Sequence, residues 1–216
     1  MVFKEAELIC FNSMLDGKRI FGTHFQAPEE ASEEYIDNTL NQLSEHKFLD
    51  ENKKPNENFY LAVKVLKEYK ESESYLIMNQ MKIAFSKDRK NIICLGKTET
   101  GYELTAMKKD MFLYEYMKSI PFLAEEDTKE RISGKTELKD WYKELEDPAL
   151  KQITFIQEFK QNKFGKMYIL YQKENQGYLY EPIVEKMRQG GSLQFRQLLM
   201  DLFQMNREEL YRGLKH

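Results

Sequence analysis

NIICLGKTETGYELT, residues 91–105, reads as a β-hairpin: an apolar run, a small polar loop with one glycine, and an outgoing run that begins on tyrosine. KMYILYQKENQGYLYE, residues 166–181, has the same layout. Ile93 falls on Ile169, Lys97 on Lys173, Gly101 on Gly177 and Tyr102 on Tyr178, each pair 76 residues apart (177 minus 101). Four matched positions are a short signal, since any two hairpins share a glycine turn and alternating residues. Their context strengthens it.

Upstream of the first hairpin the period is helical. Leu8, Phe11 and Leu15 fall on one face, with Gly17 as the stop. Pro28 suits the first turn of a second helix whose face is Ile36, Leu40 and Leu43. Asn56 can cap a third, with Phe59, Val63, Leu66 and Tyr69 inward and Lys64, Lys67 and Glu68 outward. From Tyr75 the segments YLIMNQMKIAFS, NIICLGKT and YELTAMKK read as three strands of an antiparallel meander. Asp110 can then cap a helix through Phe112 and Met117 that Pro121 stops. Residues 123–135 read as an acidic linker. Thr136 opens a helix carrying Leu138, Trp141, Tyr142 and Leu145, and ITFIQEFK, KMYILYQK and GYLYEPIV form a second meander. Ser192 caps a helix with Phe195, Leu198, Leu199, Leu202 and Phe203 inward, and Asn206 with Glu209 has capping-box spacing for a last one.

The expectation is therefore an α+β fold of quasi-twofold duplicated antiparallel β-meanders with helical layers. It divides as 1–122, a linker at 123–135, and 136–216, within one compact domain. Pairing the halves would bury the apolar face and the edges that each meander alone exposes.

Composition narrows function mostly by exclusion. With 36 acidic and 33 basic residues the net charge is near −3, which offers no concentrated basic surface for nucleic acid. Cys10 and Cys94 sit in apolar contexts and read as reduced, buried thiols. The opening MVFKEAEL lacks a secretory pattern and no apolar run approaches a membrane span, so the cytoplasm is the expected location. Gly96-Lys97-Thr98 and Gly134-Lys135-Thr136 lack the earlier glycine of a phosphate loop, with Asn91 and Lys129 in its place. His24, His46 and His216 have no metal-ligand spacing, and Glu125-Glu126-Asp127 reads as a solvated run. No catalytic residue, cofactor or metal is expected, and the chain reads as a binding protein rather than an enzyme.

Apolar residues exceed one helical stripe at the C-terminus, where Leu193, Met200 and Met205 lie off the strongest face. Such a surplus either lines an adaptable groove for a partner helix or is packed from two sides, and packing is the preferred reading. The helix pair in SEEYIDNTLNQLSEHKFLDENKKPNENFYLAVKVLKEY, with its His46–Asp50 turn and the hairpin through Tyr102, resembles the EspG-type secretion-associated proteins. It is more similar still to their Gram-positive type VII relatives such as EsaE, over roughly residues 3–205. That resemblance implies a cytosolic chaperone or adaptor that holds the apolar tip of a helical secreted protein, or of a toxin's N-terminal domain. By the same resemblance the partner-binding positions are Lys97, Thr98, Glu99 and Thr100 at the hairpin, and Phe203, Met205, Leu210 and Tyr211 near the C-terminus. Glu99, Arg207 and Glu208 would be a charged rim. A cytosolic immunity protein that neutralises a toxin through the acidic Leu123–Glu130 segment is the alternative. An unrecognised enzyme would need His24 or His46 to meet Cys94 in a pocket.

Overall fold

Asn56 decides where the longest helix of the N-terminal part begins: its Oδ1 accepts the backbone N–H groups of Asn58 (2.9 Å) and Phe59 (3.3 Å). That helix belongs to a computed structural model that describes residues 1–25, 28, 30–124, 133–135, 141, 143, 145–173, 176–206 and 208. The chain folds as two compact units. The first holds Met1–Glu73 and Gln80–Ala106, the second Ser74–Asn79 and Met107–His216. The division thus falls at two crossings of the chain, at residues 73–80 and 106–107, rather than at a linker after residue 122.

In the first unit, strand β1 (Val2–Phe3) leads into helices α1 (Glu5–Ser13), α2 (Glu33–Glu45) and α3 (Glu57–Lys70). Strands β3 (Met81–Phe85), β4 (Asn91–Lys97) and β5 (Tyr102–Lys108) follow, and the sheet order is β1-β5-β4-β3. The core is aromatic. Phe11 meets Phe3, Phe48 and Phe59 edge to face at 5.4, 5.2 and 5.0 Å, a geometry that places ring edges on ring faces and adds to the burial itself. The α3 face is Phe59, Ala62, Val65, Leu66 and Tyr69, and Lys64, Lys67 and Glu68 are outside as expected. Val63 is only half-buried. Helix α2 departs further. It starts at Glu33 because the Ser32 hydroxyl accepts the Tyr35 N–H (3.2 Å), so Pro28 lies before it rather than in its first turn. Its buried residues are Thr39 and Leu43, with Ile36 exposed. Thr39 tolerates burial because its hydroxyl donates to the Tyr35 carbonyl at 2.8 Å.

The second unit takes strand β2 (Ser74–Met78), helices α4 (Lys109–Ser119) and α5 (Pro121–Ala124), and strands β6 (Ser133–Lys135), β7 (Leu150–Lys160), β8 (Lys163–Lys173), β9 (Gln176–Glu181) and β10 (Lys186–Gly190). Helix α6 (Ser192–Leu202) closes it, and its sheet order is β2-β7-β8-β9-β10-β6. The segment read as one strand, YLIMNQMKIAFS, is two. Asn79 adopts φ 53° and ends β2, its side chain accepting the Phe155 N–H at 2.8 Å. The second meander has a fourth strand. After the 3-10 turn Pro182–Val184, left-handed Glu185 (φ 49°) sends β10 back along β9. Pro121 does not merely stop α4: it opens α5, whose Phe122 and Leu123 are buried. Leu123 is therefore core and Ser133–Lys135 is a strand paired with β10, so neither end of the supposed linker is one. Residues 125–132 lie outside the described residues, as does the predicted helix opening at Thr136 apart from Trp141, Lys143 and Leu145, where the Leu145 N–H donates to the Trp141 carbonyl at 3.3 Å, and the last helix apart from Glu208.

Each unit thus contains an antiparallel meander with a repeated hairpin. Strands β4 and β8 end on the equivalent lysines, Lys97 and Lys173, and Ile93 and Ile169 are buried at the equivalent strand centres.

Candidate partner-binding hairpin

Lys97 ends β4 and Tyr102 begins β5, leaving Thr98–Gly101 as the loop; the Thr98 N–H donates to the Gly101 carbonyl at 2.9 Å and closes it. The base is pinned from outside by β1, with Phe3 opposite Tyr102 and Val2 opposite Glu103. The N-terminal ammonium donates to the Leu104 carbonyl (3.1 Å), and the Leu104 N–H returns a bond to the Met1 carbonyl (2.9 Å). Glycine is required at 101 by contact rather than by φ, since a Cβ there would lie 2.0 Å from the Phe3 carbonyl oxygen. Lys97, Glu99 and Thr100 are exposed and Thr98 is half-buried. All four are polar. The apolar surface beside them comes from Met1 and Val2 (40% and 49% exposed), which the register of β1 sets against the hairpin. Sequence reasoning missed these two, because a two-residue strand carries no periodicity to detect.

Phe203 and Met205 are placed differently from what the family resemblance implied. Phe203 is fully buried, its ring 5.6 Å from Phe112, and Met205 is 6% exposed with its N–H on the Met200 carbonyl at 2.8 Å. Met200 is buried as well, so of the three surplus apolar residues Met200 and Met205 are packed into the second unit, while Leu193 is exposed. A side chain with no accessible surface has nothing to offer a partner while the unit is folded. Of the remaining C-terminal positions, Leu210, Tyr211 and Arg207 lie outside the described residues. Glu208 is exposed.

The enzyme reading asks for His24 or His46 to meet Cys94 in a pocket. Burial, then the Glu103 carboxylate, pushes the Cys94 thiol up to about 12, and burial followed by Glu7 raises Cys10. Both are therefore thiols, not thiolates, at neutral pH. His46 directs Nδ1 at fully buried Glu7, 2.8 Å from Oε1 and 3.0 Å from Oε2, while the Lys4 N–H donates to Oε2 at 2.7 Å. This ties α1 to the end of α2, one buried carboxylate holding two donors. Two clefts open on the first unit. One, of about 490 Å³, is lined by charged residues of α3 and the β3–β4 turn; the other, of about 470 Å³, by Ile9, Asn12, Arg19, Ile20, His24 and Phe25. Neither lining includes a cysteine. Among the described residues no group of three His, Cys, Asp or Glu side chains is placed to hold a metal, and no helix is long and apolar enough to cross a membrane.

Residues 1–210 match the family described as a domain of unknown function (DUF5081). The chain belongs to that family. No curated protein matches it in sequence. In fold it is similar to the Mycobacterium tuberculosis type VII secretion system chaperone EspG5, solved in complex with a PE25-PPE41 dimer. The TM-score is 0.56 at 9% identity, over 95% of this chain and 94% of that one. At that identity the likeness shows the fold, and this DUF5081 chain has an EspG-like α+β fold. The resemblance read from its helix pair and hairpin holds at that level. The comparisons do not extend it to the Gram-positive EsaE type.

Proposed function

We propose that the chain is a cytosolic chaperone or adaptor of a type VII secretion pathway, non-enzymatic, that covers the apolar end of a helical substrate. The observation that carries this reading is the near full-length likeness to EspG5, a chaperone solved on a partner dimer. The hairpin supports it. Its loop is polar, closed by one backbone bond and flanked by exposed Met1 and Val2, which together make a mixed surface of the kind a substrate tip can be laid against. Covering an apolar tip removes it from water and prevents its self-association. Thr98, Thr100 and Lys97 with Val2 are the contacts in this reading, and Phe203 and Met205, buried within the second unit, are not. The narrower kinship with Gram-positive members such as EsaE belongs to this proposal too.

The test is a pull-down of the tagged chain from its native cytosol with mass spectrometry, beside the T98E/T100E variant. A helical secreted protein, or the N-terminal part of a toxin, that is captured by the parent and lost with the variant is the expected result. Capture of a toxin's catalytic domain would overturn the proposal in favour of an immunity protein. In that case the contact surface would be sought in the acidic segment after Leu123.

A further inference from the structure

Strands β3 and β4 pair with Lys82 opposite Leu95. Alternate residues of a strand share a face, so Leu95 and Lys97 point to the side that Lys82 does. Lys97 is then the diagonal neighbour of Lys82, at a spacing of about 7–8 Å. Two ammonium groups thus flank the start of the hairpin loop on one face.

The Lys82 ammonium donates to the Gln80 carbonyl at 2.8 Å, and among the described residues neither lysine has a carboxylate partner. The two nearest acids on the hairpin are Glu99, exposed in the loop, and Glu103. Glu103 raises the Cys94 thiol and so lies on the opposite face, where its carboxylate accepts from the Thr105 hydroxyl at 3.2 Å. The stem of Lys82 is held down by the neighbouring loop. A Cβ on Gly22 (φ 80°) would come within 2.7 Å of its Cγ, so glycine is what lets the two pass. Burial, and then the charge of Lys97, lower the pKa of Lys82. More positive charge stands on the same loop, where Arg19 lines the 470 Å³ cleft and donates to the Thr23 carbonyl at 3.4 Å. Phe25 meets Tyr102 edge to face at 5.4 Å and so joins the cleft to the hairpin base.

We infer that Lys82 and Lys97 form a receiving pair for a carboxylate side chain of the helical partner, seated beside its apolar tip. The inference rests on the hairpin being the docking loop. A half-buried lysine beside a second lysine is held in an unfavourable field that an incoming carboxylate relieves, so recognition gains selectivity for acidic partners in an otherwise acidic protein. The chemistry asked for is an aspartate or glutamate within about one helical turn of the apolar tip.

The test uses three fluorescein-labelled amphipathic helical peptides. All carry the same apolar end, and one turn away bear two Glu, two Gln or two Lys. At low salt the Glu peptide is expected to bind about tenfold tighter than the Gln peptide and the Lys peptide weakest, with the preference screened at high salt. K82Q/K97Q should abolish the difference between the Glu and Gln peptides, whereas T98E/T100E should weaken all three with the preference of Glu over Gln retained. Equal binding of Glu and Gln peptides to the parent overturns the receiving pair and leaves the docking loop standing. Failure of all three to bind overturns the docking loop and the pair with it. Separately, NMR titration of the Lys82 ammonium in the free protein should show its pKa rising in K97Q; no rise would remove the geometric basis.

Discussion

Gly96 and Gly101 bracket one hairpin yet make opposite demands. A Cβ on Gly96 meets nothing within 4 Å, whereas one on Gly101 runs into the Phe3 backbone, which cannot move without detaching β1. G101A is expected to cost about 2–3 kcal/mol, a drop of roughly 5–10 °C in Tm, with G96A within about 1 °C of the parent. Melts followed by far-UV circular dichroism decide it, and similar Tm values for the two variants would show that β1 does not hold the hairpin base. Gly177 matches Gly101 in the sequence repeat, but what crowds it is a pair of rings, Phe195 and Phe122, rather than backbone. The repeat was visible in the letters. The two reasons for its glycine were not, because each comes from a segment far away in the chain.

Local signals decided which elements could be read in advance. Asn56 caps α3 where a polar acceptor precedes an apolar stripe, and the expected start was correct because the information lies within four residues. The same side chain donates to the Lys47 carbonyl at 2.9 Å, so it also fastens the turn between α2 and α3. N56A should lower stability by about 1–2 kcal/mol in urea unfolding. N56D keeps the capping oxygen but loses that donor and should fall between, and if N56D matched N56A the cap would be making no contribution. Strand β10 was missed for the contrary reason. KMRQG has neither alternation nor branched residues, and it is a strand only because left-handed Glu185 delivers it to β9. Similarly, Met200 and Met205 looked superfluous on one helical face because α6 is covered from more than one side, and a helical wheel shows only one.

The whole chain comprises two compact units, and its acid response is built from both. Asp16, hydrogen-bonded to Lys70, and Asp88, bonded to the Ser86 hydroxyl and the Lys90 N–H, are held below the usual carboxylate range in the first unit. Asp147 is likewise lowered in the second by Lys173, 2.8 Å away, and by the Ala149 N–H. A carboxyl whose folded pKa lies below its unfolded value stabilises the fold above that unfolded value and withdraws the support as pH falls through the folded one. Stability should therefore be level near neutrality and fall below about pH 4. D16N/D88N and D147N should each flatten that acid limb, and an unchanged limb in both would mean these bonds contribute nothing to stability.

The only tryptophan in the chain is Trp141, buried in the second unit with its ring stacked on Tyr180 at 5.5 Å and edge-on to Phe155. Red-edge excitation of the intact protein thus gives an optical readout blind to the unit that carries the hairpin. Emission would stay native if that unit opened alone, and a coincident loss of fluorescence and far-UV ellipticity would reveal that the two units melt as one cooperative body.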